Sequence, residues 1–254
     1  MSGGHSAPWA RGLAVLLVVM GGLAAMPTRA AGDDEAAIAS HLAEYLRSAR
    51  TVISQYQDLI NDPQKGDKGL TPDRVIAEAT ALYEQVTGED PMATDPAGSE
   101  GRLLRAQMQA IRDVMAEHEA EINEPGTGFK GFIPAVFARL VNEKFADAAG
   151  SEARVKTTAP ADLVRNRKAR PDAWENAVIE EKFEKPDWPR GKGFSETTEV
   201  DGRPAFRLIV PEYYKASCLA CHGEPKGEMD ITGYPKEGGK EGDLGSAISV
   251  TLFQ

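Results

Sequence analysis

The chain is 254 residues long, 41% apolar and 27% charged, with 39 acidic against 29 basic side chains and a net charge of −10 with His neutral. That balance disfavours nucleic acid and anionic lipid, whose phosphates repel it, while it suits a basic redox partner or serves solubility alone. Length and apolar share allow one sizeable domain, or a helical layer packed on a smaller sheet.

Arg11 is followed by an apolar run from Gly12 to Met26, and Thr28-Arg29-Ala30 places small residues where a signal peptidase reads. Residues 1–30 are therefore expected to be a signal peptide cleaved after Ala30, which sends the chain to the periplasm. A retained anchor competes, but the run is shorter than the ~20 apolar residues of a spanning helix, and glycines interrupt it. No later segment is apolar enough to cross a bilayer, so the membrane enters only through the transient export signal. Losing Arg11 and Arg29 leaves 27 basic against 39 acidic residues, a mature net charge of −12.

Residues 31–130 read as a helical region. Ile38, Leu42, Tyr45, Ala49, Val52, Tyr56 and Ile60 recur at steps of three and four, predicting one long amphipathic helix. Val75, Ile76, Ala79, Leu82, Tyr83 and Val86 continue the pattern after Pro72. A second unit repeats the first: Leu104, Met108, Ile111, Met115, His118 and Ile122, then Val136, Phe137, Leu140, Val141 and Phe145. The joints of the two units, around 38–86 and 101–147, align without gaps. Ile60 to Pro72 and Ile122 to Pro134 both read I-N-[DE]-P-x-x-G-x-K-G-[LF]-x-P. In each, Asn-acid-Pro stops a helix, a Gly-rich loop follows, and a proline opens the next helix where its missing N–H costs nothing. Two copies are too few for a solenoid. The shared lysines, Lys68 and Lys130, are expected to be solvated in their loops, with an anionic group such as a propionate as the alternative partner. Between the units, Gly88 to Gly101 reads as an acidic surface loop.

Beyond Gly150 the pattern turns to α+β. Ala153 to Thr158 is a candidate short strand. Pro171-Asp172-Ala173-Trp174-Glu175 opens a helix with acids in its first turn and Trp174, Val178, Ile179 and Phe183 on one side. Glu196 to Val200 and Arg203 to Val210, joined by Asp201-Gly202, form a hairpin with a type I′ turn. Ala247 to Phe253 alternates as a final strand, with Ile248, Val250 and Leu252 on one face. Gly223 to Gly245 is a long loop of the kind that is either a functional lid or mobile, and covering the edge of a bound group is one task for it.

That loop follows Cys218-Leu219-Ala220-Cys221-His222, a C-x-x-C-H motif, which in an exported chain signals covalent haem c. Two thiols three positions apart reach the two vinyl groups of one porphyrin, and the adjacent imidazole then lies beneath the iron. Cys218 and Cys221 are the attachment residues and His222 the proximal ligand. Three readings compete. A thioredoxin-like pair sits between a first strand and a helix of a βαβ unit, unlike this C-terminal motif. A structural zinc site needs four ligands from two cysteines and His41, His118 and His222. The third is a chance motif with a small disulfide.

A haem iron has a second axial position. His118 lies on an apolar stripe where an imidazole needs a partner, so it is the candidate sixth ligand; a core histidine bonded to a local acceptor is the alternative. Met108 and Met115 read as core packing, and His41 lies at a stripe edge. With two cysteines in the chain, a thiolate sixth ligand is excluded, and an open sixth position remains.

The second half resembles a bacterial domain of unknown function that is PAS-like and binds haem c, found in extracytoplasmic parts of sensor kinases and cyclases and as single-domain exported proteins. The resemblance rests on Phe132-Ile133-Pro134-Ala135-Val136-Phe137, Thr157-Thr158, Arg165-Asn166, Pro171-Asp172-Ala173-Trp174-Glu175, Asp201-Gly202-Arg203, the C-x-x-C-H-Gly223 motif and Gly242 to Val250. It implies a PAS-like antiparallel sheet flanked by helices over 131–254, packed as one unit with the helical region, with one covalent haem c held by Cys218, Cys221 and His222. Arg165 matches an R-N pair, where a haem propionate is one partner and an acid such as Glu175 another. Unlike the sensors, the chain carries no transmembrane helix or output domain after the haem region.

The expectation is thus an exported monohaem binding protein, not an enzyme, that senses redox state or a diatomic gas and reports to a partner protein. Small electron-transfer cytochrome and structural zinc protein are the alternatives.

Overall fold

The computed structural model of the chain describes residues 1–4 and 31–254. The expected leader lies, from residue 5 on, outside the described residues. Among those described, no helix is long and apolar enough to cross a membrane. The architecture is α+β with a helical N-terminal half, as the periodicities imply.

Helix α1 (Ala31–Gln55) buries Leu42, Tyr45, Ala49 and Val52 completely, and a large aliphatic side chain so placed contributes roughly 1.5–3 kcal/mol. The predicted helix ran on to Ile60, but it breaks at Tyr56 before a short α2 (Gln57–Ile60). Tyr56 is drawn sideways: its hydroxyl donates to Glu78 at 3.0 Å and accepts from Arg74 at 2.6 Å, with the guanidinium over its ring. Both partners lie on α3 (Pro72–Thr87), which Thr71 caps and left-handed Gly88 closes. Helix α4 (Ser99–Asn123) and helix α5 (Pro134–Ala149) complete the second unit.

The two repeat loops hold each other. The Asn61 side chain accepts the Lys130 amide at 3.1 Å, and the Asn123 side chain accepts the Lys68 amide at 2.9 Å. The Gly126 amide adds a bond to the Pro63 carbonyl at 2.9 Å. The lysines correct the solvated expectation, for Lys68 is 1% and Lys130 6% exposed. Each ammonium donates to carbonyls of its own loop, Lys68 to Asp62 and Lys65, Lys130 to Glu124. Carbonyls that a tight loop leaves without amide partners are satisfied this way.

The sheet holds β1 (Ala153–Thr158), β2 (Phe194–Val200), β3 (Arg203–Tyr213) and β4 (Leu244–Phe253), all antiparallel in the order β1-β4-β3-β2. Asp201 and Gly202 have φ of 54° and 78°, the positive pair a type I′ turn requires. Strand β4 starts earlier than predicted, at Leu244, because a bulge between Glu212 and Tyr213 lets pairing continue. One face, Val155, Phe206, Leu208, Ile248, Val250 and Leu252, joins the helical core in a single apolar cluster.

On the other face lie α6 (Ala173–Val178) and a π turn over Ile179–Phe183. The predicted helix through Phe183 widens after Val178, and Val178, Ile179 and Phe183 pack together on Ile209 and Ala247. Asp172 and Glu175 form a capping box at the helix start. Buried Arg207 reaches Asp172 at 2.6 Å over the Trp174 ring, and Lys156 reaches Glu175 at 2.7 Å. Thr158 donates to the Ala169 carbonyl at 2.8 Å, which pins the segment between β1 and α6.

Asn61→Ala or Asn123→Ala leaves a lysine amide without its acceptor. Each is expected to lower stability by about 1–3 kcal/mol, read from the urea midpoint. The double variant should depart from additivity, because both bonds close one joint.

Candidate functional site

Strand β3 hands the chain to the C-x-x-C-H motif through one closing rung: the Tyr214 amide donates to Asp243 and the Gly242 amide to Tyr214, both at 2.9 Å. A 3-10 turn over Ala216–Cys218 runs directly into α7 (Leu219–His222). Residues three and four apart on such a turn are neighbours, which places Cys218 beside both Cys221 and His222. Both cysteines are free thiols of intermediate burial. The turn rests on the end of α1, where Ser54 donates to Ser217 at 3.2 Å.

The His222 ring is held on two sides. Its Nδ1 is 2.9 Å from Glu237 Oε2, and its face stacks on Tyr214 with centroids 5.0 Å apart and planes 21° apart. Tyr214 sits in a slot between two glycines: a Cβ at Gly239 would lie 2.6 Å from its ring, and one at Gly245 closer still. Burial pushes the Tyr214 hydroxyl up to about 12. The His222 carbonyl accepts the Gly239 amide at 2.8 Å, which fastens the following loop to the motif.

Arg165 organises that loop. Its Nε and Nη2 form a fork on Glu237 at 2.6 and 2.8 Å, Nη1 reaches Asp230 at 2.6 Å, and Nη2 also reaches the Cys221 carbonyl at 2.9 Å. The guanidinium lies over Tyr234 as well. The acid partner is therefore not Glu175, which Lys156 and Arg207 occupy, and four hydrogen bonds to protein groups already engage the fork proposed for a propionate. Asp230 in turn caps its own turn, accepting from the Thr232 amide and hydroxyl and the Tyr234 amide. The segment read as an open loop from Gly223 to Gly245 is folded back on itself by a Met229–Pro235 bridge.

The charges follow from these contacts. Burial alone would raise the Asp230 carboxyl, but hydrogen bonds from Thr232 and Arg165 outweigh it and hold the group well below the ordinary carboxylate range. Glu237 is likewise lowered, with Arg165 and His222 overcoming its burial. Burial, reinforced by the neighbouring Asp230 charge, pushes the Cys221 thiol up and keeps it protonated.

A groove of about 420 Å³ opens beside the motif, lined in part by Arg47, Arg190, Tyr213, Tyr214 and Lys215. Arg47 is spent on Glu44 and Glu212. Arg190 lies over the Tyr213 ring at 3.9 Å and pairs with no carboxylate among the described residues.

The remaining candidates fall outside this cluster. His118 was expected to be buried, yet its side chain is 27% exposed near the end of α4, with Nδ1 on Glu121 at 2.9 Å and its ring against Phe132. Those two neighbours supply the partner its stripe position demanded. His41 contacts Glu100 at 2.5 Å and the edge of Tyr83. Met108 and Met115 are core residues. Among the described residues, no group of three or more His, Cys, Asp or Glu side chains is gathered to hold a metal ion, so the zinc alternative finds no ligand set there. Glu237, Asp230 and Tyr214 escaped the sequence reading. The Asp-Ile-Thr-Gly stretch marks Asp230 as a turn former, but no spacing links it or Glu237 to Arg165.

The sequence matches the Tll0287-like family over residues 89–252. The chain belongs to the Tll0287-like family. No curated protein and no solved structure matches it. The Tll0287-like stretch takes in α4, α5, the whole sheet and the motif, and it runs across residue 130, as the apolar core does.

Because Asp230 and Glu237 have folded values below their unfolded ones, their stabilisation is complete above the unfolded range, near about 4, and is lost as pH falls through the folded values. Amide protection factors at Thr232 and Tyr234, whose N–H groups donate to the Asp230 carboxylate, should be high at neutral pH and fall in strong acid. Asp230→Ala should lower them at every pH.

Proposed function

We propose that this Tll0287-like protein is an exported, monohaem c-type binding protein that works in redox or diatomic-gas sensing. The observation that carries the reading is the state of His222: its Nδ1 faces a carboxylate, which leaves Nε2 as the ligand atom, in a turn that also carries two free thiols. A metal-binding histidine regularly has its other nitrogen engaged in this way. The residues present fit the group. Cys218 and Cys221 would hold haem through thioethers, each thiol adding its sulfur to one carbon of a vinyl double bond and its hydrogen to the other, with no leaving group. His222 would be the proximal ligand.

Haem, when bound, supplies an iron that changes oxidation state or takes up a diatomic ligand. The chain supplies attachment, an oriented imidazole and a covered edge. For propionates, unpaired Arg190 and exposed Lys215 beside the motif are better placed than Arg165. The leader-like N-terminus supports periplasmic maturation, and the antiparallel sheet between helices accords with the PAS-like character. In this reading the protein binds haem and reports to a partner protein.

Expression with a haem c maturation system should yield a protein that keeps haem through denaturing electrophoresis. Cys218→Ala and Cys221→Ala should each weaken retention, and the double variant should abolish it. Carbon monoxide should change the reduced spectrum; an unchanged low-spin spectrum would favour the electron carrier. His118→Ala should leave the spectrum as it is, since Glu121 and Phe132 account for that ring. No retained haem in the wild type would overturn the proposal.

A further inference from the structure

We infer that Glu237, held in place by Arg165, is a positioning residue that fixes the His222 tautomer and sets how strongly this imidazole donates to a bound iron. The inference rests on the haem reading above.

The geometry places a proton on Nδ1. Glu237 Oε2 lies 2.9 Å from His222 Nδ1 and accepts from Arg165 Nη2 at 2.8 Å, while Oε1 accepts from Arg165 Nε at 2.6 Å. A carboxylate receiving a guanidinium fork has acceptors only, so the proton between Glu237 and His222 belongs to Nδ1. In the neutral ring Nε2 is then the lone pair that a metal would take, and ring rotation is opposed by the stack on Tyr214 and its glycine slot.

The same oxygen serves both partners. A carboxylate on Nδ1 raises the basicity of the opposite nitrogen, and second-shell hydrogen bonding of this kind is a main lever on iron potential. Arg165 draws charge from that oxygen and so limits the effect. Arg165 also grips the Cys221 carbonyl at 2.9 Å and Asp230 at 2.6 Å, so the fork that holds Glu237 is indexed to the attachment turn itself. Asp230 provides an internal comparison: it is a second carboxylate on the same guanidinium, it accepts from Thr232, Tyr234 and Arg165, and it neighbours the Cys221 thiol instead of the His222 ring.

Two measurements test this. In the haem-free chain, ¹⁵N–¹H correlation through the imidazole should show His222 protonated at Nδ1, and Glu237→Ala should shift the population towards the Nε2–H tautomer. In the haem-loaded protein, Glu237→Gln should raise the reduction potential clearly more than Asp230→Asn, although each removes one negative charge from the same arginine. Arg165→Gln should lower it. Equal shifts for Glu237→Gln and Asp230→Asn would reduce Glu237 to a nearby charge and overturn the inference, as would an unchanged tautomer in Glu237→Ala. A chain that retains no haem defeats the functional reading instead, while the tautomer measurement on the haem-free chain still decides whether Glu237 positions His222.

Discussion

One guanidinium ties the candidate site together. Arg165 comes from the segment between β1 and α6, Cys221 from the turn after β3, and Asp230 and Glu237 from the loop that returns to β4, and all meet on its N–H groups. A partly buried cation needs counter-charges, and two carboxylates drawn into a loop rich in glycine need a cation. Each satisfies the other, and the loop that would otherwise be mobile becomes the wall that orients His222.

That arrangement depends on a rigid platform. The segment carrying Arg165 is anchored by Thr158 on Ala169 and by the Lys156–Glu175–Arg207–Asp172 network, where Trp174 covers the guanidinium of Arg207. The motif turn rests on β3 and on the end of α1, and α1 is buried against the sheet face of Phe206, Ile248 and Val250. The helical half is in turn closed by the reciprocal bonds of its two loops, so the repeat serves assembly of the platform.

Much of the fold was readable along the chain. The apolar steps of three and four located the four long helices, and Asp201-Gly202 located the hairpin, because both depend on backbone geometry within a few residues. The spacing of Tyr56 belongs to the stripe, but α1 gives way to α2 at this residue, where Arg74 and Glu78, 18 and 22 positions away, bind its hydroxyl. His118 fits the stripe too, yet the loop residue Phe132 covers it and Glu121 binds it at a helix end open to solvent. Lys68 and Lys130 look like solvent-facing loop cations until the loops fold tightly enough to leave carbonyls that only an ammonium can reach.

The sequence by itself determined the motif, the order of helices and strands, and the pairing of two loops as copies of one pattern. These are properties of spacing, and spacing is local. Only the tertiary structure decided which acid faces His222, which acids hold Arg165, and that the lysines are buried. Arg165 and Glu237 are 72 positions apart, and Glu237 stands 15 beyond His222 with no period connecting them. Their meeting is set by the path of β4 back along β3, which brings the intervening loop across the motif, and no residue pattern along the chain encodes that distance.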